Sequence, residues 1–135
     1  MDELDVRILL ELHKDGRIAN NVLAEKVGLS PSPCLRRVKQ LEESGAIARY
    51  VAILNPASMG LELTVFVRVW LHSQDAETVD NFAREVCALP EVVECHLMVG
   101  DCDFLLRVVT ADLNAYRQFQ IDHLARISGV QCLKT

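Results

Sequence analysis

The chain lacks any long hydrophobic run: its longest uninterrupted apolar stretch is the five residues from Tyr50 to Leu54. A membrane helix needs about 20, so no membrane partner is expected. The N-terminus, M-D-E-L-D, is acidic and shows no signal-peptide pattern. The five cysteines (Cys34, Cys87, Cys95, Cys102 and Cys132) are odd in number and fit no zinc-finger or zinc-ribbon spacing. Free thiols in a reducing compartment are therefore expected. Cys95, His96 and Cys102 lie close in sequence, but they read as strand and turn residues rather than as a metal site, and no metal is expected. Half of the residues are hydrophobic, which excludes a disordered chain. These features together describe a cytoplasmic protein of one ordinary domain or two small ones.

Charge is unevenly placed. Residues 1–56 hold eight Lys+Arg and eight Asp+Glu, whereas residues 57–135 hold six against eleven and carry the whole net charge of −5. Acidity of this kind argues against indiscriminate polyanion binding but leaves room for one local basic face. Such a face is present. Between residues 30 and 41 there are three cations, Arg36, Arg37 and Lys39, and no acid.

Residues 1–45 read as three helices. Leu4, Ile8 and Leu12, with Leu9 beside them, form an apolar stripe that begins near Asp2 and stops before Gly16. Asn20 or Asn21 is expected to cap a second helix bearing Leu23, Ala24 and Val27, with Gly28 as its left-handed end. Ser30 suits the N-cap of a third helix, with Pro31 and Pro33 tolerated in its first turn. At about 100° per residue, Cys34, Leu35, Val38 and Leu41 face inward. Ser32, Arg36, Lys39 and Gln40 face outward, and Arg37 lies at the flank. Helix, glycine turn and cationic helix are the layout of a helix-turn-helix, which places its second helix in the major groove. Arg36 is the base-reading candidate, because a guanidinium fork fits guanine. Arg37 and Lys39 are expected to contact phosphates, as are Ser30 and Ser32 near the helix start. A solvated helix face is the competing reading of the same charges.

Residues 46–56 read as a strand ending at Asn55-Pro56, either a hinge or a segment that pairs with a second copy. Alternation of Leu61, Leu63, Val65, Val67, Val69 and Leu71 predicts a strong strand. An amphipathic helix follows over 75–89, then strands over 92–99 and 104–110 around a G-D-C-D turn, a helix to Ile127 and a last strand from Val130. The order β-α-β-β-α-β predicts an α+β unit of the ferredoxin-like kind, two helices on a four-stranded antiparallel sheet. That order alone decides no function. The expected organisation is a helix-turn-helix domain at 1–45, a β hinge at 46–58, and a ferredoxin-like domain at 59–135.

Four runs, L-D-V-R-I-L-L-E-L-H-K-D-G-R-I (4–18), G-L-S-P-S-P-C-L-R-R-V-K-Q-L-E-E-S-G-A-I (28–47), Y-V-A-I-L-N-P (50–56) and E-C-H-L-M-V-G-D-C-D-F-L-L (94–106), resemble the Lrp/AsnC, or feast/famine, family of transcription regulators. The resemblance spans nearly the whole chain. It implies a regulator that binds a pseudo-palindromic site on double-stranded DNA, dimers paired through their sheets, tetramers of dimers closed as octamers, and an amino-acid effector bound between dimers. Such a protein associates with the nucleoid and carries no cofactor. The family's effector site maps here to Gly100, Asp101 and Asp103. Gly100 permits backbone approach to a ligand carboxylate, and either aspartate can accept from a ligand ammonium, with Asp103 the first choice. A plain hairpin turn would use the same residue types. Family members continue past the position of Thr135, so the last strand is expected to be cut short.

Two other functions are weighed. A resemblance of the architecture to siroheme decarboxylases implies a tetrapyrrole enzyme, but His72, His96 and His123 show no constellation, and no catalytic residue is assigned. The other is a small-molecule-binding assembly module with vestigial DNA binding, which the unbroken basic face disfavours.

Overall fold

The computed structural model describes residues 1–135, which form two compact units, Met1–Ile53 and Leu54–Thr135. In the first, α1 (Glu3–Lys14), α2 (Asn20–Val27) and α3 (Pro31–Glu43) pack around Ile8, Leu23, Val27, Cys34, Val38 and Leu41. Asp2 and Asp5 cap α1 reciprocally. The Asp5 N–H donates to the Asp2 carboxylate at 2.9 Å, and the Asp2 N–H donates to the Asp5 carboxylate at 3.2 Å. Two of the donors that every helix start leaves unpaired are thus satisfied.

The start of α2 differs from expectation. Its N-cap is Ala19, with no side-chain cap. Asn20 lies inside the helix, and its amide reaches across to donate to the Pro31 carbonyl at 2.9 Å. That bond ties the start of α2 to the start of α3, a tertiary use of a residue whose type suggests a local one. The end of α2 is as expected: Gly28 has φ 79°, and the Leu29 N–H donates to the Ala24 carbonyl at 2.8 Å. Ala24 is buried at this junction.

Ser30 occupies the N-cap of α3, yet its side chain makes no capping bond. Of the two amides an N-cap oxygen can accept from, the second and third of the helix, Pro33 removes one and the Ser32 N–H is left as the single local donor. Leu35, expected inside, is 43% exposed.

Residues 48–55 form no strand. No N–H of this segment donates a hydrogen bond within the chain, so the strand expected at 46–56 has no neighbour to pair with. A strand is defined by its ladder, and one copy of the chain supplies none here. The boundary between units, after Ile53, falls inside the expected hinge.

The second unit runs β1 (Leu63–Leu71), α4 (Ala76–Cys87), β2 (Val92–Leu97), β3 (Phe104–Thr110), α5 (Leu113–Asp122) and β4 (Val130–Lys134), with a 3-10 turn at Pro56–Met59 before them and another at Leu124–Arg126. The sheet order is β2-β3-β1-β4, all neighbours antiparallel. This is the ferredoxin-like arrangement. Val67 opposes Leu106 in the central pair. Val65, Val67, Val69, Phe104, Leu106 and Val108 turn to one face and form the core with Phe82 and Val86 of α4 and Tyr116 and Phe119 of α5. Phe82 and Phe104 stack with ring centroids 4.8 Å apart. Strand alternation sends Thr64, Phe66 and Arg68 to the opposite face, where they are exposed. No helix is long and apolar enough to cross a membrane.

Asp75 caps α4. Its carboxylate accepts from the Ser73 hydroxyl, from the Thr78 hydroxyl at 2.7 Å and from the Thr78 N–H at 3.2 Å. The Ser73 bond and then the Thr78 bonds lower its pKa from 3.8 to about 2. A depressed carboxylate pKa stabilises the fold in full above the unfolded value near 4 and loses that contribution as pH falls through about 2. Asp75→Asn is therefore expected to flatten the pH dependence of the urea midpoint across this acid window. An unchanged slope would show that the cap does not titrate as described.

Candidate nucleic-acid interface and ligand turn

The outer strip of α3 is built as its spacing predicts. Ser32, Arg36, Lys39 and Gln40 are exposed, as is Ser30 at the cap. Arg36 and Lys39 form no ion pair within the chain. Two cations free of intramolecular partners, one turn apart on a helix, are available to phosphates or base edges. Of residues 31–33 only Ser32 carries a backbone N–H, because both neighbours are proline. The helix start therefore offers an anion one amide and two hydroxyls, fewer donors than an ordinary N-terminus. Gln40 sits farther along, at the rim of an open cavity of about 520 Å³ that Met1, Asp5 and Ser44 also line.

Arg37 departs from its expected role. Its Nη1 donates to both carboxylate oxygens of Asp2, at 2.9 and 2.7 Å, and to Asp5 at 3.0 Å. The guanidinium beside it holds the Asp2 carboxyl below its usual value, and Asp2 in turn raises the Arg37 pKa. The flank position of Arg37 carries it toward α1, where two acids already stand as the helix cap. Within the chain it clamps α1 to α3. The signal for this pair lay in the two aspartates that cap α1.

The candidate ligand turn closes the β2–β3 hairpin. The Met98 N–H donates to the Asp103 carbonyl at 2.9 Å, and the Asp103 N–H donates to the Val69 carbonyl at 2.9 Å. The Asp103 carboxylate, first choice for a ligand ammonium, is already engaged. Its Oδ2 accepts from the Leu71 N–H at 2.7 Å and from the Gln74 amide at 3.3 Å. The cause is the irregularity between Trp70 and Leu71 in the β1–β4 pairing, where the Leu71 N–H turns to the aspartate. Oδ1 takes no hydrogen bond in the chain. Asp101 is exposed and its side chain is unpaired, while its carbonyl accepts from the Trp70 indole N–H. Gly100 has φ 133°, and a Cβ there would meet nothing within 4 Å. Glycine is thus required by backbone angle, with open space around it. Trp70, missed in the sequence reading, ties this turn to β1, and its ring is flanked by Arg68 at 5.6 Å and Lys134 at 5.2 Å.

Cys95 packs against the core while His96, the next strand residue, is exposed, so the trio with Cys102 is split across the sheet. No three His, Cys, Asp or Glu side chains converge at metal-binding spacing. His96 pairs with Glu94 at 3.2 Å, and His123 stacks on Phe119 with centroids 5.7 Å apart.

A three-helix unit with an exposed cationic helix, carried on the same chain as a ferredoxin-like unit, defines a DNA-binding transcription regulator with a ligand-binding domain. Residues 1–48 match the winged helix-turn-helix DNA-binding family, and residues 64–135 match the Lrp/AsnC ligand binding domain family. The chain belongs to the Lrp/AsnC family. It is 44% identical over 135 residues to the leucine-responsive regulatory protein of Escherichia coli (strain K12), covering all of this chain and 82% of that protein. A transcriptional regulator from Neisseria meningitidis, solved as a complex with L-Met, superposes with a TM-score of 0.93 at 41% identity, over 99% of this chain and 86% of that one. An AsnC family regulator from Agrobacterium tumefaciens gives 0.92 at 42% identity, over 99% and 87%.

Arg37→Met is expected to lower the thermal stability of the chain while leaving the salt dependence of DNA binding unchanged, since the clamp removes this charge from the groove-facing strip. A salt slope reduced by about one ion per copy would return Arg37 to the phosphate contacts.

Proposed function

We propose that this chain is an amino-acid-responsive regulator that works as a homodimer and assembles further into a tetramer of dimers. Within it, α3 reads DNA, with Arg36 at a base edge and Lys39, Ser32 and Ser30 toward phosphates. The carrying observation is that Arg36 and Lys39 are exposed and unpaired while Arg37 beside them is neutralised. Two such helices related by a two-fold axis suit a pseudo-palindrome with half-sites about one helical turn apart, or a multiple of it. The extended 48–55 segment suits pairing with the same segment of a second copy, which would supply the missing ladder. The outer sheet face carries Phe66, 54% exposed, beside Arg68, and suits sheet-to-sheet pairing. Association with chromosomal DNA in the cytoplasm follows from this reading.

The effector reading rests on the turn at 98–103. With Asp103 half engaged by the sheet, Asp101 becomes the freer acceptor for a ligand ammonium, and the Oδ1 of Asp103 a second. An amino acid there acts only through differential affinity for assembly states. The L-Met found in the Neisseria meningitidis regulator supports this ligand class.

Fluorescence anisotropy on the chain's own upstream DNA, against a scrambled duplex and across a salt series, tests the DNA reading. Specific binding with a steep salt slope is expected. Arg36→Ala should lose about 1–3 kcal/mol of specific affinity, as befits a bidentate base contact; unchanged affinity would remove α3 from that role. For the effector, Asp101→Asn is expected to weaken amino-acid binding in calorimetry and to leave DNA affinity intact. Unaltered ligand affinity in that variant would take the site away from the turn.

A further inference from the structure

Leu35 stands where the sequence pattern had placed a core residue, yet it is 43% exposed. A single exposed leucine needs no explanation by itself. Its position is what carries meaning. Cys34, Val38 and Leu41 supply the buried face of α3 at 0%, 9% and 5% exposure, and the core closes without Leu35. On a helix its neighbours lie three and four residues away in both directions: Val38 and Pro31 on the side of the buried face, and Ser32 and Lys39, both exposed members of the outer strip, on the other. The strip therefore has one apolar edge, a branched side chain with no capacity to hydrogen-bond, lying beside a hydroxyl and an ammonium.

The chemistry of the major groove supplies one apolar partner for such a group. Each base edge there presents donors and acceptors, and only thymine adds a methyl, at C5. A leucine over a cytosine would instead cover the N4 donor without pairing it, and over a guanine the O6 acceptor. Both carry the cost of an unsatisfied polar group. Attraction to thymine and penalty against cytosine and guanine act in the same direction. We infer that Leu35 is a specificity-determining residue of this regulator, packing on the 5-methyl group of a thymine within each half-site. The inference rests on α3 as the reading helix and adds to Arg36 a second contact of a different chemical kind.

The test uses the full chain and a duplex selected by the wild-type protein from a randomised pool. Each thymine of the half-site is replaced in turn by deoxyuridine, which lacks only the methyl group, and affinity is read by anisotropy. Wild type is expected to weaken about fourfold at one thymine per half-site, the effect of one buried methyl, and little elsewhere. Leu35→Ala, with its fold checked by circular dichroism, should bind the thymine duplex more weakly and show no difference between thymine and deoxyuridine at that position alone. Leu35→Met, which keeps an apolar side chain, should retain the difference. If Leu35→Ala binds too weakly to titrate, the same comparison is made at lower salt, where phosphate contacts restore a measurable affinity. A deoxyuridine profile that is flat for wild type, or identical for wild type and Leu35→Ala, overturns the inference. If Arg36→Ala loses specific affinity in the same assay, that failure belongs to Leu35 alone. If Arg36→Ala also changes nothing, the reading of α3 itself has failed. A changed sedimentation coefficient for Leu35→Ala with an unaltered deoxyuridine profile would assign the residue to assembly, again against the inference.

Discussion

The pairing of β1 with β3 is the constraint on which the ligand-binding unit depends. These two strands are central in the sheet, and Val67 stands opposite Leu106. Side chains alternate with a period of two, so a slip of one residue would turn the apolar set of one strand to the wrong face. The present register places Val65, Val67 and Val69 on the same side as Leu106 and Val108, and only that surface can receive Phe82 of α4 and Phe119 of α5. The edge strands add to a pair already fixed. The turn at 98–103 depends on it as well, because Asp103 is held through its own N–H on Val69 and through its carboxylate on Leu71. The geometry of this turn is therefore set by the same register that sets the core.

In the DNA-binding unit one helix divides its circumference among three tasks. Cys34, Val38 and Leu41 fill the core. Arg37 is spent on the two aspartates that begin α1. Arg36 and Lys39 keep their charges unpaired. In a chain of net charge −5, this local excess of positive potential gives direction to an encounter with a polyanion that the molecule as a whole would not favour. The clamp also links electrostatics to packing. The two acids at the start of α1 are paired with the one cation of α3 that leans toward them.

Most of the architecture was legible in the sequence because the relevant signals are periodic. Alternation from Leu61 to Leu71 announced β1, and the four-residue spacing of Leu4, Ile8 and Leu12 announced α1. Gly28 marked a helix end by backbone chemistry alone. The contacts that the sequence did not announce are those made with distant partners. Arg37 sits where helical geometry puts it, but its ion pair bridges 35 positions of sequence. Asn20 bonds to Pro31 rather than to its own helix. Asp103 has the right chemistry for a ligand but is drawn to an amide that a strand irregularity leaves free. The segment at 46–56 has strand composition without a strand, since pairing is a relation between two segments and composition describes one.

That segment has a consequence for solvent exchange. The N–H groups of residues 48–55 donate no hydrogen bond within the chain, so a lone copy should trade these protons for deuterium at close to the unprotected rate, far ahead of β1 and β3. A neighbouring strand would slow them by the free energy of its own detachment. If this segment pairs with a second copy as proposed, the isotope content of one short peptide would record whether the chain is alone.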